Sequence, residues 1–474
     1  MRVDLARLWL AAAGLCGGVF AGRTRSSAVV AGAVACVVGG ALLGVRRRRV
    51  VALAGVMLVA AGAGLLSAHA RMTTSGRLAE IARDVPRCSF EATVTEQLGG
   101  LGSLWSMDAI DCGGGSLAEP GSVVVDDAVA DPGTNLRGEG WLIPLGSDGF
   151  DRARQRLGAQ ASLHLVETEI VDEARGAHGV ARRVRDGLHT AVSDLDPRHA
   201  ALIEGLTIGD TSGFAPETIS QFRASGLSHV LAVSGSNVAI VVAAMLVALR
   251  GLSLVVRVAA GFAALCLFVL VVGPDASVLR AGVMGAATLL CLLRGRQGEP
   301  LAILALAVIT VVGVRPAMLY SVGMHLSVAA TAGIVLFSTP LSLRMSWLPE
   351  PLRVMLSATL AAQVAVAPIL MLVFGEISVT APLANFLALP VVGVATVVGL
   401  VAGCIAVLWA PLGVAVASLI APAAWWIVSV AERFGGATWS AVEVPPEWGL
   451  LTGCVVVAAA IESLKRSARA LSVG

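Results

Sequence analysis

Past residue 228 the sequence runs through nine apolar stretches, at roughly 229–249, 254–272, 276–293, 299–314, 317–337, 354–374, 384–409, 412–432 and 448–464. A membrane helix needs about 17–20 apolar residues, and most of these stretches supply them. Three more lie near the start, at 7–22, 28–44 and 50–68. Such a chain folds as a polytopic α-helical membrane protein. Its make-up agrees: 56% of residues are hydrophobic, 14% charged and only 4% aromatic. Its 53 glycines suit close helix approach in lipid, as in Gly399-x-x-x-Gly403.

Charge placement orients the spans. Arg46, Arg47, Arg48 and Arg49 form a cytoplasmic marker that outweighs Arg23 and Arg25 in the preceding loop. The third span then exits at about residue 69, and the first reads as a retained anchor. Downstream, Arg294, Arg296, Arg344, Arg353, Lys465, Arg466 and Arg469 fall inside, while Glu443 and Glu447 fall outside. About twelve spans with both termini cytoplasmic satisfy this pattern, and place the protein in the cell membrane. The short run at 299–314 and the Pro382–Pro390 region, read as a broken or re-entrant helix, shift that count by one or two.

Four domains follow. Residues 1–69 are anchor helices, and 228–474 are the main helical domain. Between them, 70–176 is polar, with strand-like pieces at Phe90–Val94, Ser122–Val125, Trp141–Pro144 and Ala161–Val166. Turn clusters at Gly99-Gly100 and Asp131-Pro132-Gly133 separate these pieces. A small all-β, OB-like extracytoplasmic barrel fits, and a small sandwich is the alternative. Cys88 and Cys112 lie in this exported segment and are expected to form a disulfide. Residues 177–227 show helical period through Val180, Val184, Leu188, Val192 and Leu195. They read as amphipathic helix on the outer membrane surface or packed on the barrel.

The polar residues inside the apolar runs are the candidate site. Gly226 to Val238 packs His229, Ser234, Ser236 and Asn237 into a membrane-length segment. Such groups are costly in hydrocarbon, so they line a wet path or bond between helices. Arg280 either snorkels to the outer interface or faces an anionic substrate. His325, expected mid-membrane with Ser327 nearby, reads as cavity-facing. Asn385 either satisfies backbone freed by Pro382 and Pro390 or marks a translocation path. No C-x-x-C or H-x-H spacing suggests a metal, and no G-x-x-x-x-G-K-[ST] loop suggests ATP hydrolysis. We therefore expect no catalytic residues, no cofactor and no enzyme activity.

The stretch from Gly226 to Val238 resembles the signature G-L-x-H-L-L-A-V-S-G-x-H-V of the ComEC competence-protein family, with Asn237 where a histidine is usual. Ser277, Leu279, Arg280 and Ala281 look like that family's S-x-x-R-A motif. Gly323 to Ser327 is similar to its G-F-Q-L-S, with His325 replacing glutamine, and Asn385 to Pro390 resembles N-x-x-x-x-P. The resemblance implies a channel for single-stranded DNA in natural transformation, in a form without the C-terminal metallo-β-lactamase-like domain. It also implies an extracytoplasmic DNA receptor, a cytoplasmic DNA translocase, a surrounding lipid bilayer and a possible homo-oligomer. Trp105 and Trp141 are candidate stacking platforms for bases. The rival reading is a secondary transporter for a small anionic solute, with Arg280 as counter-charge.

Overall fold

The computed structural model describes residues 77–473 except 98–101, 114–115, 127–129, 147–150, 152–153, 156–157, 232, 316–317, 320 and 438. The three N-terminal apolar runs and Arg46–Arg49 lie outside the described residues. The chain forms two compact units: residues 1–183 with 269–279 and 305–321, and residues 184–268 with 280–304 and 322–474.

The first unit is built on a barrel. After a short helix α1 (Arg77–Ile81) come β1 (Arg87–Gln97), β2 (Ser103–Asp111), β3 (Ser116–Val125), β4 (Asn135–Pro144) and β5 (Ala161–Asp172). They close in the order β1-β2-β3-β5-β4, with β3 parallel to β5 and every other pair antiparallel. A five-stranded Greek-key barrel is the OB architecture. Alternation sets the interior: Phe90, Trp105, Met107, Ile110, Leu136, Leu142 and Leu163 are all buried. Cys88 and Cys112 are disulfide-bonded, tying β1 to the end of β2 across a separation of 24 residues. A loop of that size stabilises by about 3 kcal/mol.

The two tryptophans divide. Trp105 is a core residue, 0% exposed; its Nε1 donates to the Ser103 hydroxyl at 2.8 Å and its ring sits 6.1 Å from Phe90. It offers no face to a base. Trp141 points outward and is 44% exposed.

The 177–227 segment folds as three helices: α2 (Gly176–Val192), α3 (Pro197–Ile208) and α4 (Pro216–Ala224). Asp196 caps α3 by accepting from Arg198 N–H, with Pro197 at the first helical position. Of these, α3 is largely buried, with Leu202, Ile203 and Leu206 all 0% exposed. Its residues are more apolar than a surface helix requires.

The helices that follow are α5 (Ser228–Leu231), α6 (Gly235–Ala248), α7 (Leu254–Val272), α8 (Ala276–Leu293), α9 (Pro300–Val314), α10 (Val322–Arg344), α11 (Glu350–Phe374), α12 (Ala381–Leu408), α13 (Ala410–Ser418), α14 (Ala421–Gly435) and α15 (Pro446–Val473). Five of them (α7, α8, α10, α11 and α12) are long and apolar enough to cross a membrane, which makes this a multi-pass membrane protein. α12 is continuous over 28 residues with Pro390 inside it, so the expected break there is absent. Lipid-embedded helices tolerate proline when neighbours pack closely. The break falls instead between α13 and α14, which meet at 45° inside what reads as one apolar run.

A two-stranded sheet counts that bent pair. β6 (Glu376–Ser378) lies between α11 and α12, and β7 (Ala441–Glu443) lies between α14 and α15. They pair antiparallel, Ile377 opposite Val442. Paired loops lie at one end of a bundle, so an even number of crossings separates them. α12 is one candidate span between them, and α13 with α14, taken together, supply the second that this parity asks for. Exposed tryptophans mark both ends: Trp439 and Trp448 flank the paired loops, and Trp347 and Trp409 lie at the far ends of α11 and α12. This is the placement of an interfacial aromatic belt.

α12 carries a groove of small residues. Gly399 receives Thr207 and Ile203 of α3, Gly403 receives Val184 and Leu188 of α2, and Gly393 receives Ile240 of α6.

Candidate substrate path in the membrane bundle

The polar segment is anchored first by Gly226. Its φ of +75° is a left-handed conformation, and a Cβ there would overlap the Ala381 methyl at the start of α12. Leu227 is fully buried behind it. The chain then makes the single turn of α5 and breaks before α6, so the expected span at 229–249 is two pieces.

The four polar residues do different jobs. Asn237 is 0% exposed and donates from Nδ2 to the Leu206 carbonyl at 3.1 Å. Ser234 donates to Asn237 Oδ1 at 3.0 Å, and the Ser234 and Ser236 hydroxyls lie 2.6 Å apart. Asn237 is thus a bolt between α6 and α3, not an exposed lining group. His229 and Ser236 are exposed.

Arg280 is 6% exposed, one turn inside α8. It does not reach an interface by snorkelling. Nε donates to Ser327 Oγ at 2.9 Å, and Nη1 donates to Thr331 Oγ1 at 2.7 Å and faces Met284 Sδ at 3.1 Å. Ser327 and Thr331 are one turn apart on α10, and Thr331 also donates to the Ser327 carbonyl at 2.9 Å. Among the described residues no carboxylate pairs with this cation.

His325 lies in the first turn of α10, because that helix starts at Val322, and the residue is exposed. That places it near a helix end, not in mid-membrane as its apolar context suggests. Asn385, 7% exposed in the first turns of α12, has no partner for its Oδ1, so it does not satisfy freed backbone through that atom. No hydrogen bond among the described residues joins His325 or Asn385 to the Arg280 group or to the Ser234 group.

A further polar cluster has no signal in spacing. His189 Nδ1 lies 2.6 Å from Glu204 Oε1, and His189 Nε2 lies 4.0 Å from Asp210 Oδ2. Asp210 also accepts from the backbone and hydroxyl of Ser212, at 2.9 and 2.7 Å. The hydrogen bond to Glu204 raises the His189 pKa against the opposing effect of burial, with smaller help from Asp210 and Asp186. These three side chains bring donor atoms within 4.8 Å of one another, near enough to share an ion. His189 Nδ1 and Glu204 Oε1 are already engaged with each other, and Asp210 Oδ1 with Ser212. Only folding brings α2, α3 and the loop after it together.

Comparison with known proteins gives these sites a family. The model of the family described as "Competence protein" matches residues 206–466, from α3 into α15. "ComE operon protein 3" of Bacillus subtilis (strain 168) is 28% identical over 212 residues, which are 44% of this chain and 27% of that protein. The match thus covers about a quarter of that relative's length. No solved structure matches. The family match takes in Gly226, the Asn237 bolt, Arg280 with its hydroxyl partners, and Asn385 within one continuous stretch, and the chain belongs to the competence protein family.

Proposed function

We propose that this protein passes single-stranded DNA across the cytoplasmic membrane during natural transformation. The observation that carries the reading is a closed five-stranded barrel of OB connectivity joined in one chain to a competence-family membrane bundle. Barrels of this type hold single strands by combining backbone electrostatics with base stacking. Trp141 stands between Arg87 of β1 and His164 of β5 in one cross-strand row, an outward aromatic beside a cation. The bundle has about twelve spans, both termini cytoplasmic and the barrel outside. It acts as a conduit and not as an enzyme. A receptor delivers DNA outside and an ATP-driven translocase pulls it inside.

Deleting the gene in its own host tests this directly. Labelled DNA should still bind the cell surface while its entry into the cytoplasm is abolished. Undiminished entry would refute the proposal, and loss of a small anion's uptake instead would favour a solute transporter.

A further inference from the structure

Among the described residues, Arg280 is a buried cation whose partners are all neutral. Taking a charge out of water is costly unless an opposite charge meets it. Here the guanidinium is 6% exposed, and its bonded partners are two hydroxyls and a thioether. Those partners fix the plane of the fork without neutralising it. Nε and Nη1 are committed, whereas Nη2 has no protein partner among the described residues. Nη2 shares one edge of the guanidinium with Nε, and therefore with the Ser327 hydroxyl. Ser327 accepts from Nε, which leaves its own O–H to donate toward the same side.

We propose that Arg280, oriented by Ser327, Thr331 and Met284, binds one phosphodiester group through its Nη2 edge. One cation among neutral partners balances one negative charge. A phosphodiester carries one, whereas free phosphate at neutral pH is a mixture of singly and doubly charged forms. Guanidinium N–H donors and a hydroxyl suit the tetrahedral oxygens of such a group. The choice of a DNA phosphate over a lipid headgroup, which offers the same chemistry, rests on the single-strand reading above.

The test uses the full-length protein in phosphatidylcholine nanodiscs, with a fluorescent oligothymidylate as probe and NaCl varied. R280Q should weaken binding about tenfold and lower the slope of log affinity against log salt by about one phosphate contact. T331V keeps the charge but frees the fork, and should lose several-fold, which guards against a folding defect in R280Q. If wild type binds the strand while R280Q and T331V match it in affinity and slope, the site proposal is overturned and the single-strand reading survives. A second arm adds phosphatidylglycerol and counts retained lipid by native mass spectrometry. If R280Q loses that lipid with strand affinity unchanged, the DNA assignment is overturned in favour of a headgroup. Inorganic phosphate at constant ionic strength should compete weakly; strong competition would overturn the preference for a diester. If wild type binds no strand, the transport reading itself fails, and lipid retention unaffected by R280Q then overturns the site as well.

Discussion

Asn237 and Leu206 are 31 residues apart and joined at 3.1 Å, side-chain amide to backbone carbonyl, where α6 begins against α3. With Asn237 wholly buried, this bond ties α6 to α3. N237A should leave the Leu206 carbonyl unsatisfied and cost about 1–3 kcal/mol. Thermal unfolding of the purified protein should show it. Unchanged stability together with lost uptake would instead make Asn237 a lining residue.

Gly226 is constrained twice, by its φ of +75° and by the Ala381 methyl facing it. G226A should destabilise strongly or abolish membrane accumulation. Pairing it with A381G should recover part of the loss and leave a residual cost of about 1 kcal/mol from the left-handed backbone. Full recovery would show that the conformation carries no strain.

The His189–Glu204 contact should make stability depend on pH. The folded pKa of His189 is raised, so its contribution is fully present below the unfolded value of about 6.5. That contribution is lost as pH rises through the folded value. Wild type should therefore lose thermal stability relative to E204Q as pH rises above about 6.5, and the E204Q curve should be flatter there. Parallel curves would show that the two groups are not coupled in the folded protein.

The pairing of Ile377 with Val442 fixes the parity of crossings between their loops. With the free cysteines replaced, V379C and V442C should react with a membrane-impermeant maleimide from the same side. W347C and W409C should react from the other. Opposite labelling of V379C and V442C would mean that α13 and α14 each cross.

Trp141 is the exposed aromatic among the described residues of the barrel, so W141A should weaken oligothymidylate binding about tenfold, in line with the stacking cost per base. W105A should chiefly unfold the barrel, because it empties the core beside Phe90. Equal binding by wild type and folded W141A would move the strand to another face.

Much of this architecture was legible in the order of residues. Apolar run length located the long helices, and the cysteine pair in the polar segment found its disulfide. The outward aim of Trp141 was also written there, since Leu136, Gly138, Gly140 and Leu142 take the inward register on β4 and leave 141 outside. Reading each tryptophan alone missed this. The expected break at Pro382–Pro390 is absent because a proline is a local signal while continuity is set by neighbours. Pro390 sits in a helix packed on several sides, whereas the chain bends at Leu419 and Ile420, between α13 and α14. The His189 cluster and Thr331 differ in kind. Thr331 stood one turn from Ser327 and could have been paired with it, but His189, Glu204 and Asp210 meet only through tertiary packing.

The groove along α12 has one more consequence. Gly393, Gly399 and Gly403 each seat a different neighbour at a position with no side chain of its own. Nothing there can swing to a new rotamer and make way. A methyl added at any of the three would crowd Ile240, Thr207 or Leu188, so a single added carbon would push a neighbouring helix off this seat.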